Sequence, residues 1–154
     1  MQQNPHQKQK DVINSMYLPD SNIIIRAFKG YEPEASFIRR NIIDRSIKIS
    51  VIVIAEFLVK ANDEQAKRFN SVLEEFGSLP IDERIARAAG EYRKQFLRKT
   101  TRTFLLDCYL AAQAKLHNLT IVTNNRKDFP MKDINIISLS DNLVTKTRKK
   151  NQQN

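Results

Sequence analysis

Cysteine occurs once in the 154 residues, at Cys108. A single thiol excludes an intramolecular disulfide and any metal site built from several cysteines, which suits a reducing compartment. No apolar run approaches the roughly 20 residues that cross a bilayer, and the first ten residues, MQQNPHQKQK, lack the hydrophobic middle of a secretion signal. A cytoplasmic protein with no membrane attachment is therefore expected. Acid is also scarce, with 17 Asp and Glu against 26 Lys and Arg, a formal charge of +9. Residues 1–15 carry +1 of this and residues 141–154 carry +3, so the body retains +5. An intrinsic excess of that sign suits a polyanionic partner, although charge alone does not distinguish this from solubility.

The length fits one domain with tails. Residues 1–10 hold four Gln and no apolar cluster, and the end, TKTRKKNQQN, is similar. Neither can bury enough surface to offset the entropy of ordering it, so mobile tails are expected at 1–15 and 141–154, the second basic. Met16 stands immediately before the first strand, which makes residues 1–15 an extension expected to be dispensable for folding.

Between the tails helices and strands alternate. MYL (16–18) is a short strand, and SNIIIRAFKG carries apolar residues at helical positions before Gly30. A helix is expected at 33–44. The run IKISVIVIAEFLV (47–59) is too long for one strand and divides into a strand at 47–51 and a helix through Lys60. Ala66, Phe69, Val72, Leu73 and Phe76 mark a helix over 63–76, ended by Gly77. SLPID (78–82) is a tight connection, with room for a very short strand. Ile85, Ala88, Ala89, Tyr92 and Phe96 form the apolar stripe of another helix, with Arg84, Arg87, Lys94 and Arg98 opposite, and a last helix spans 104–117. TIVT (120–123) and INIIS (134–138) are short strands. This alternation predicts an α/β fold in three layers, a mostly parallel central sheet of about four or five strands flanked by helices.

Three acids lie among apolar residues: Asp20 after MYLP, Glu56 within VIVIAEFLV and Asp107 within FLLDCYLAA. Ionised carboxylates drawn towards a core cost several kcal/mol unless compensated, so each needs a basic partner or all share a cation. Parallel strands ending at Asp20 and near Val51 would bring both ends to the carboxyl edge, where open α/β folds place their sites. Glu56 then falls in the first turns of the helix leaving that edge. Asp107 and Asn125 are 18 residues apart. A helix of about 12 residues descends roughly 18 Å and a strand of about five climbs back roughly 16 Å, so Asp107 can meet the loop holding Thr123, Asn124, Asn125 and Asp128. Oxygen donors of this kind suit Mg²⁺ or Mn²⁺ rather than zinc. Ser21 or Asn22 is expected to cap the first helix and steady Asp20 or its waters. His6 and His117 lie away from this cluster, and Cys108 has no histidine placed to activate it.

Taken together, YLPDSN, SVIVIAEF, LLDCYLAAQAKLHNLTIVTNN and TNNRKDF resemble, in this order and spacing, the PIN-domain family over residues 16 to 140, and in particular the VapC-type toxins of toxin–antitoxin pairs. The resemblance implies a metal-dependent endoribonuclease, commonly a homodimer, held inactive by a cognate antitoxin protein. Asp20, Glu56 and Asp107 match the acidic metal ligands, and Asn125 matches a fourth position that is Asp or Asn. Thr123 matches a supporting hydroxyl residue, and Asp128 the aspartate of a terminal Asp-Phe pair that supplies a ligand or braces the loop. RNA phosphates would be met by Arg87, Lys94, Arg98, Lys99 and Arg102, with Arg84 beside them, since such contacts give affinity without sequence information. Lys99 and Arg102 feed directly into the Asp107 helix and carry most weight. Two positions depart from the pattern. Pro19 replaces an aliphatic residue and is tolerable only near a strand end, while Asn125 removes a charge and weakens any second metal site. The alternatives are a catalytically inactive PIN-like module that binds RNA, and a receiver-like domain, which would want its acids paired early in the chain.

Overall fold

The computed structural model describes residues 15–97 and 103–140. Within them the chain runs β1 (Tyr17–Pro19), α1 (Ser21–Phe28), α2 (Glu34–Ile43), α3 (Val51–Lys60), α4 (Asp63–Phe76), α5 (Glu83–Phe96), α6 (Leu105–Leu116), β2 (Thr120–Val122), a 3₁₀ turn (Arg126–Asp128) and β3 (Asn135–Ile137). The fold is α/β, as expected. The expected tails at 1–14 and 141–154, and Arg98, Lys99 and Arg102, lie outside the described residues.

The strands are parallel in the order β1, β2, β3, with Leu18 opposite Ile121 and Ile121 opposite Ile136. The expected four or five strands are corrected to three among the described residues. Segments 47–51 and 78–82 contribute single bridges, Ile47 to Tyr17 and Ser50 to Leu79. Pro19 supplies the physical reason. Tyr17 N–H donates to Ser46 O and Lys48 N–H to Tyr17 O, both at 2.8 Å. The next rung of a parallel ladder would need an N–H from residue 19, which proline lacks. The segment then turns into α3, whose N-terminus Ser50 caps by accepting from Ile52 N–H at 3.1 Å.

Local chemistry sets the other helix limits. Asn62 and Gln65 form a reciprocal capping box, with Gln65 N–H to Asn62 Oδ1 at 2.9 Å and Asn62 N–H to Gln65 Oε1 at 3.1 Å. Gly77, at φ 69°, ends the helix in the left-handed region that glycine tolerates. Asp82 caps α5 through Ile85 N–H at 2.8 Å. Helix α6 packs on α5, on β2 and on α3, while α1 packs on α2 and α3. Gln113, fully buried on α6, donates to Leu79 O and Pro80 O at 3.0 and 3.1 Å, tying that helix to the bridge segment.

The core includes a triangle of aromatic rings from three helices. Phe57 and Phe69 have centroids 4.3 Å apart, and Phe28 stands edge-on to both at 5.1 and 5.6 Å. Phe69 is wholly buried. Phe69→Ala should therefore cost about 3–5 kcal/mol, the usual range for a phenylalanine cavity, measured by urea unfolding with an unchanged m-value. Among the described residues no helix is long and apolar enough to cross a membrane.

Candidate active site

The sheet fixes where the first acid sits. Asp20 follows Pro19, its N–H donates to Val122 O at 2.9 Å, and one residue beyond Val122 the N–H of Thr123 donates to Ile137 O at 3.1 Å. Asp20 and Thr123 therefore stand side by side just past the carboxyl ends of β1 and β2. Their side chains meet there, with Thr123 Oγ1 donating to Asp20 Oδ2 at 3.1 Å, both residues buried.

Sequence reasoning placed the cap of α1 on Ser21 or Asn22, and the structure corrects it. Asp20 is itself the N-cap, accepting on Oδ1 from Ser21 N–H at 2.7 Å, with Ser21 Oγ at 3.4 Å. An aspartate at this position satisfies an orphan helix N–H and gains from the positive end of the helix dipole. Ser21 is the first helical residue and reinforces the carboxylate, while Asn22 is exposed.

The hydrogen bonding continues along the loop. Asn125 N–H donates to Thr123 Oγ1 at 3.1 Å, and Asn125 Nδ2 donates to Asp128 Oδ2 at 2.6 Å. A chain of bonds thus runs Asp20, Thr123, Asn125, Asp128, with the threonine hydroxyl giving to one neighbour and accepting from the other. Because the Thr123 hydroxyl joins Asp20 to Asn125, its loss should be felt at Asp20. If Asp20 holds a metal ion, Thr123→Ala is expected to lower metal affinity about 10–100-fold, as losing the hydrogen-bond partner of a ligand does. Thr123→Ser should restore most of it, as metal titration would show.

Asp107 and Glu56 reach the cluster from helices. Asp107 lies in the first turn of α6 and accepts on Oδ2 from Phe104 N–H at 3.1 Å, the backward reach of a capping residue. Glu56 is half-buried in the second turn of α3. Charge shows that these groups share one neighbourhood. Burial raises the Asp107 carboxyl to about 7, opposed by the Phe104 N–H and aided by the charges of Asp128, Asp20 and Glu56. Asp20 is also raised, first by burial, against its bonds to Thr123 and Ser21, with Glu56 and Asp128 adding repulsion. Burial raises Asp128 too, partly offset by the Asn125 amide.

As placed, no three acidic, histidine or cysteine side chains among the described residues are gathered closely enough to grip one ion. The donor chemistry nevertheless fits a hard divalent cation. Asp20, Glu56, Asp107 and Asp128 offer oxygen only, and the charged neighbours that shift Asp20 and Asp107 are carboxylates.

The remaining candidates divide. Lys94 is exposed on α5, as is Arg84, whereas Arg87 donates to Glu83 Oε1 at 2.8 and 2.6 Å, which offsets its charge. His117 is exposed at the C-terminal end of α6. Cys108 is buried, and its thiol is pushed up to about 11 by burial and then by Asp107, the opposite of an activated nucleophile.

Sequence reasoning missed Glu34. It sits among polar residues in YEPEAS yet is 2% exposed, and its Oε1 accepts from Arg26 Nε at 2.9 Å and from Asn124 Nδ2 at 2.6 Å. The apolar spacing of Ala35 and Ile38 in its helix was the available signal that this face turns inward.

Known proteins resemble this chain in sequence and fold. Residues 17–135 match the model of the PIN domain family. The chain is 29% identical over 116 residues to Ribonuclease VapC10 of Mycobacterium tuberculosis, covering 75% of this chain and 87% of that protein. A toxin–antitoxin complex from Klebsiella pneumoniae contains a chain similar to this one at 26% identity with a TM-score of 0.63, over 79% of this chain and 95% of that one. VapBC2 from Rickettsia felis, solved with a DNA fragment from its promoter, shows the same fold at 22% identity and a TM-score of 0.66, over 80% and 98% of the two chains. With a family match over most of its length and acids at the carboxyl edge of a parallel sheet, the chain belongs to the PIN domain family.

Proposed function

We propose that residues 16–140 form a metal-dependent endoribonuclease that acts as the toxin of a toxin–antitoxin pair in the cytoplasm. The observation that carries this reading is the hydrogen-bonded run Asp20, Thr123, Asn125, Asp128 at the carboxyl edge of the sheet, with Asp107 and Glu56 near enough for their charges to act on it. In this reading Asp20, Glu56 and Asp107 hold Mg²⁺ or Mn²⁺, Asn125 occupies the fourth position, and Ser21, Thr123 and Asp128 support them. The chemistry such an ion supplies is activation of water and neutralisation of charge on the attacked phosphate.

The protein's own groups prepare the site. Ser21 N–H and the Thr123 hydroxyl fix the plane of the Asp20 carboxylate, and Oδ2, with one donor, keeps lone-pair capacity for a further partner. Phe104 N–H holds one oxygen of Asp107. Asn125, tied to Thr123 and Asp128, sets the distance between the loop and the strand ends. Carboxylates arranged in this way can orient a water for in-line attack on phosphorus, leaving a 5′-phosphate and a 3′-hydroxyl. Lys94, with Arg98, Lys99 and Arg102, would draw in the RNA backbone.

The antitoxin partner is supported by the complexes in which similar chains were solved. Its docking surface in this reading is the groove of about 300 Å³ between α1 and α2, lined by Phe28, Ile38, Ile42 and Ile43 with Arg39 and Arg68 at its margin. An apolar floor with basic edges suits an amphipathic segment bearing acids. A homodimer is the assembly this reading expects.

The test is incubation of total cellular RNA with purified protein in Mg²⁺, in Mn²⁺ and in EDTA. Discrete fragments that require metal support the proposal, and their ends name the bond broken. RNA that is bound yet stays whole with either metal rejects catalysis in favour of a binding module.

A further inference from the structure

We infer that Glu34 is a positioning residue for the acidic centre and acts on it through Asn124. The inference deepens the nuclease reading and rests on that reading for its catalytic consequence alone. A carboxylate 2% exposed is costly to bury, and an apolar residue of similar volume would serve packing at least as well. Glu34 instead gathers two donors on one oxygen, Arg26 Nε at 2.9 Å and Asn124 Nδ2 at 2.6 Å, while its buried Oε2 has no partner among the described residues. Arg26 is held in turn, its guanidinium 5.0 Å over the ring of Tyr31.

Asn124 is the chain neighbour of both Thr123 and Asn125. Its backbone therefore cannot shift without moving the hydroxyl that holds Asp20 and the N–H that holds that hydroxyl. On its other side Asn124 Oδ1 accepts from Ser140 N–H at 3.3 Å. The loop is thus pinned twice, once at the acid by Thr123 and once, away from the acid, by Glu34. Four separate parts of the chain meet at this second point: α1, α2, the loop after β2 and the segment after β3.

The experiment compares wild type, Asn124→Ala, Glu34→Gln and the double variant as full-length, metal-free protein. Asn124 is exposed, so its truncation leaves the core intact even if Glu34→Gln disturbs folding. Amide hydrogen exchange at Asn125 should rise about tenfold or more in each single variant while exchange at core Ile121 stays unchanged. Calorimetric Mn²⁺ binding should weaken roughly 10–100-fold, as for other outer-shell losses. The double variant should be no worse than the more affected single one, because two residues acting in series do not add. Unchanged Asn125 exchange and Mn²⁺ affinity in Asn124→Ala, or effects that multiply in the double variant, would overturn the inference. Total RNA cleavage by wild type, with Asp107→Asn as control, is scored separately. If wild type leaves RNA whole while Asn125 exchange rises as expected, the nuclease reading fails and the positioning role stands.

Discussion

Asp107→Asn should abolish RNA cleavage and, in EDTA at neutral pH, make the protein more stable. The two effects have one cause. The Asp107 carboxyl is raised to about 7 by burial and by the charges of Asp128, Asp20 and Glu56, so its ionised form is strained in the absence of a cation. Asparagine has the same shape, keeps an oxygen to accept from Phe104 N–H and carries no charge to repel its neighbours. Under the proposed mechanism function should suffer because the variant loses one of the carboxylate charges that would hold the cation. The fall in cleavage should exceed the roughly 10–100-fold typical of an outer-shell partner. Cleavage assays and thermal melts on the same preparations check both halves. Full activity in the variant would remove Asp107 from the catalytic set, and a large loss of stability would recast it as a structural cap.

Stability should also depend on pH and metal together. Asp107 has an ordinary pKa of 3.8 and a folded value of about 7, and Asp20 is raised in the same direction. Between those values the folded chain holds a proton that the unfolded chain has released, so stability falls as pH rises. The contribution is complete below the ordinary carboxylate pKa and lost once pH passes through the folded value near 7. Metal-free protein should accordingly melt at a higher temperature at pH 5 than at pH 8. Added Mg²⁺ or Mn²⁺ should act the other way. It needs ionised ligands, so its stabilisation should be large at pH 8 and small at pH 5. At a hundred times the dissociation constant, binding contributes about 2.7 kcal/mol. Melting curves over both pH values, with and without metal, provide the measurement. Equal stabilisation at both pH values would mean that the ion binds elsewhere.

Parts of this architecture were legible residue by residue. The helix over 63–76 was readable because Ala66, Phe69, Val72, Leu73 and Phe76 keep one period and Gly77 is a local stop signal. The three acids stood out because each interrupts an apolar run, and burying charge is expensive wherever the chain goes. Other features were not legible, for reasons that are equally physical. The ladder beside β1 stops because a proline in one strand lacks the N–H that a partner some 30 residues away would have used. Asp20 caps its own helix, which left Ser21 and Asn22 without the capping role their composition suggested. Glu34 looks like any surface acid until α2 packs on α1 and brings it to Asn124, ninety positions along the chain.

By itself, then, the sequence determined the α/β class, most helices and the identity of the acids, because periodicity, capping and the cost of buried charge act within a few residues. Tertiary structure alone decided the number of paired strands, the bond from Thr123 to Asp20 across 103 positions and the burial of Glu34. Those depend on which segments become neighbours in space, and a contact between distant segments leaves no periodic trace in either of them.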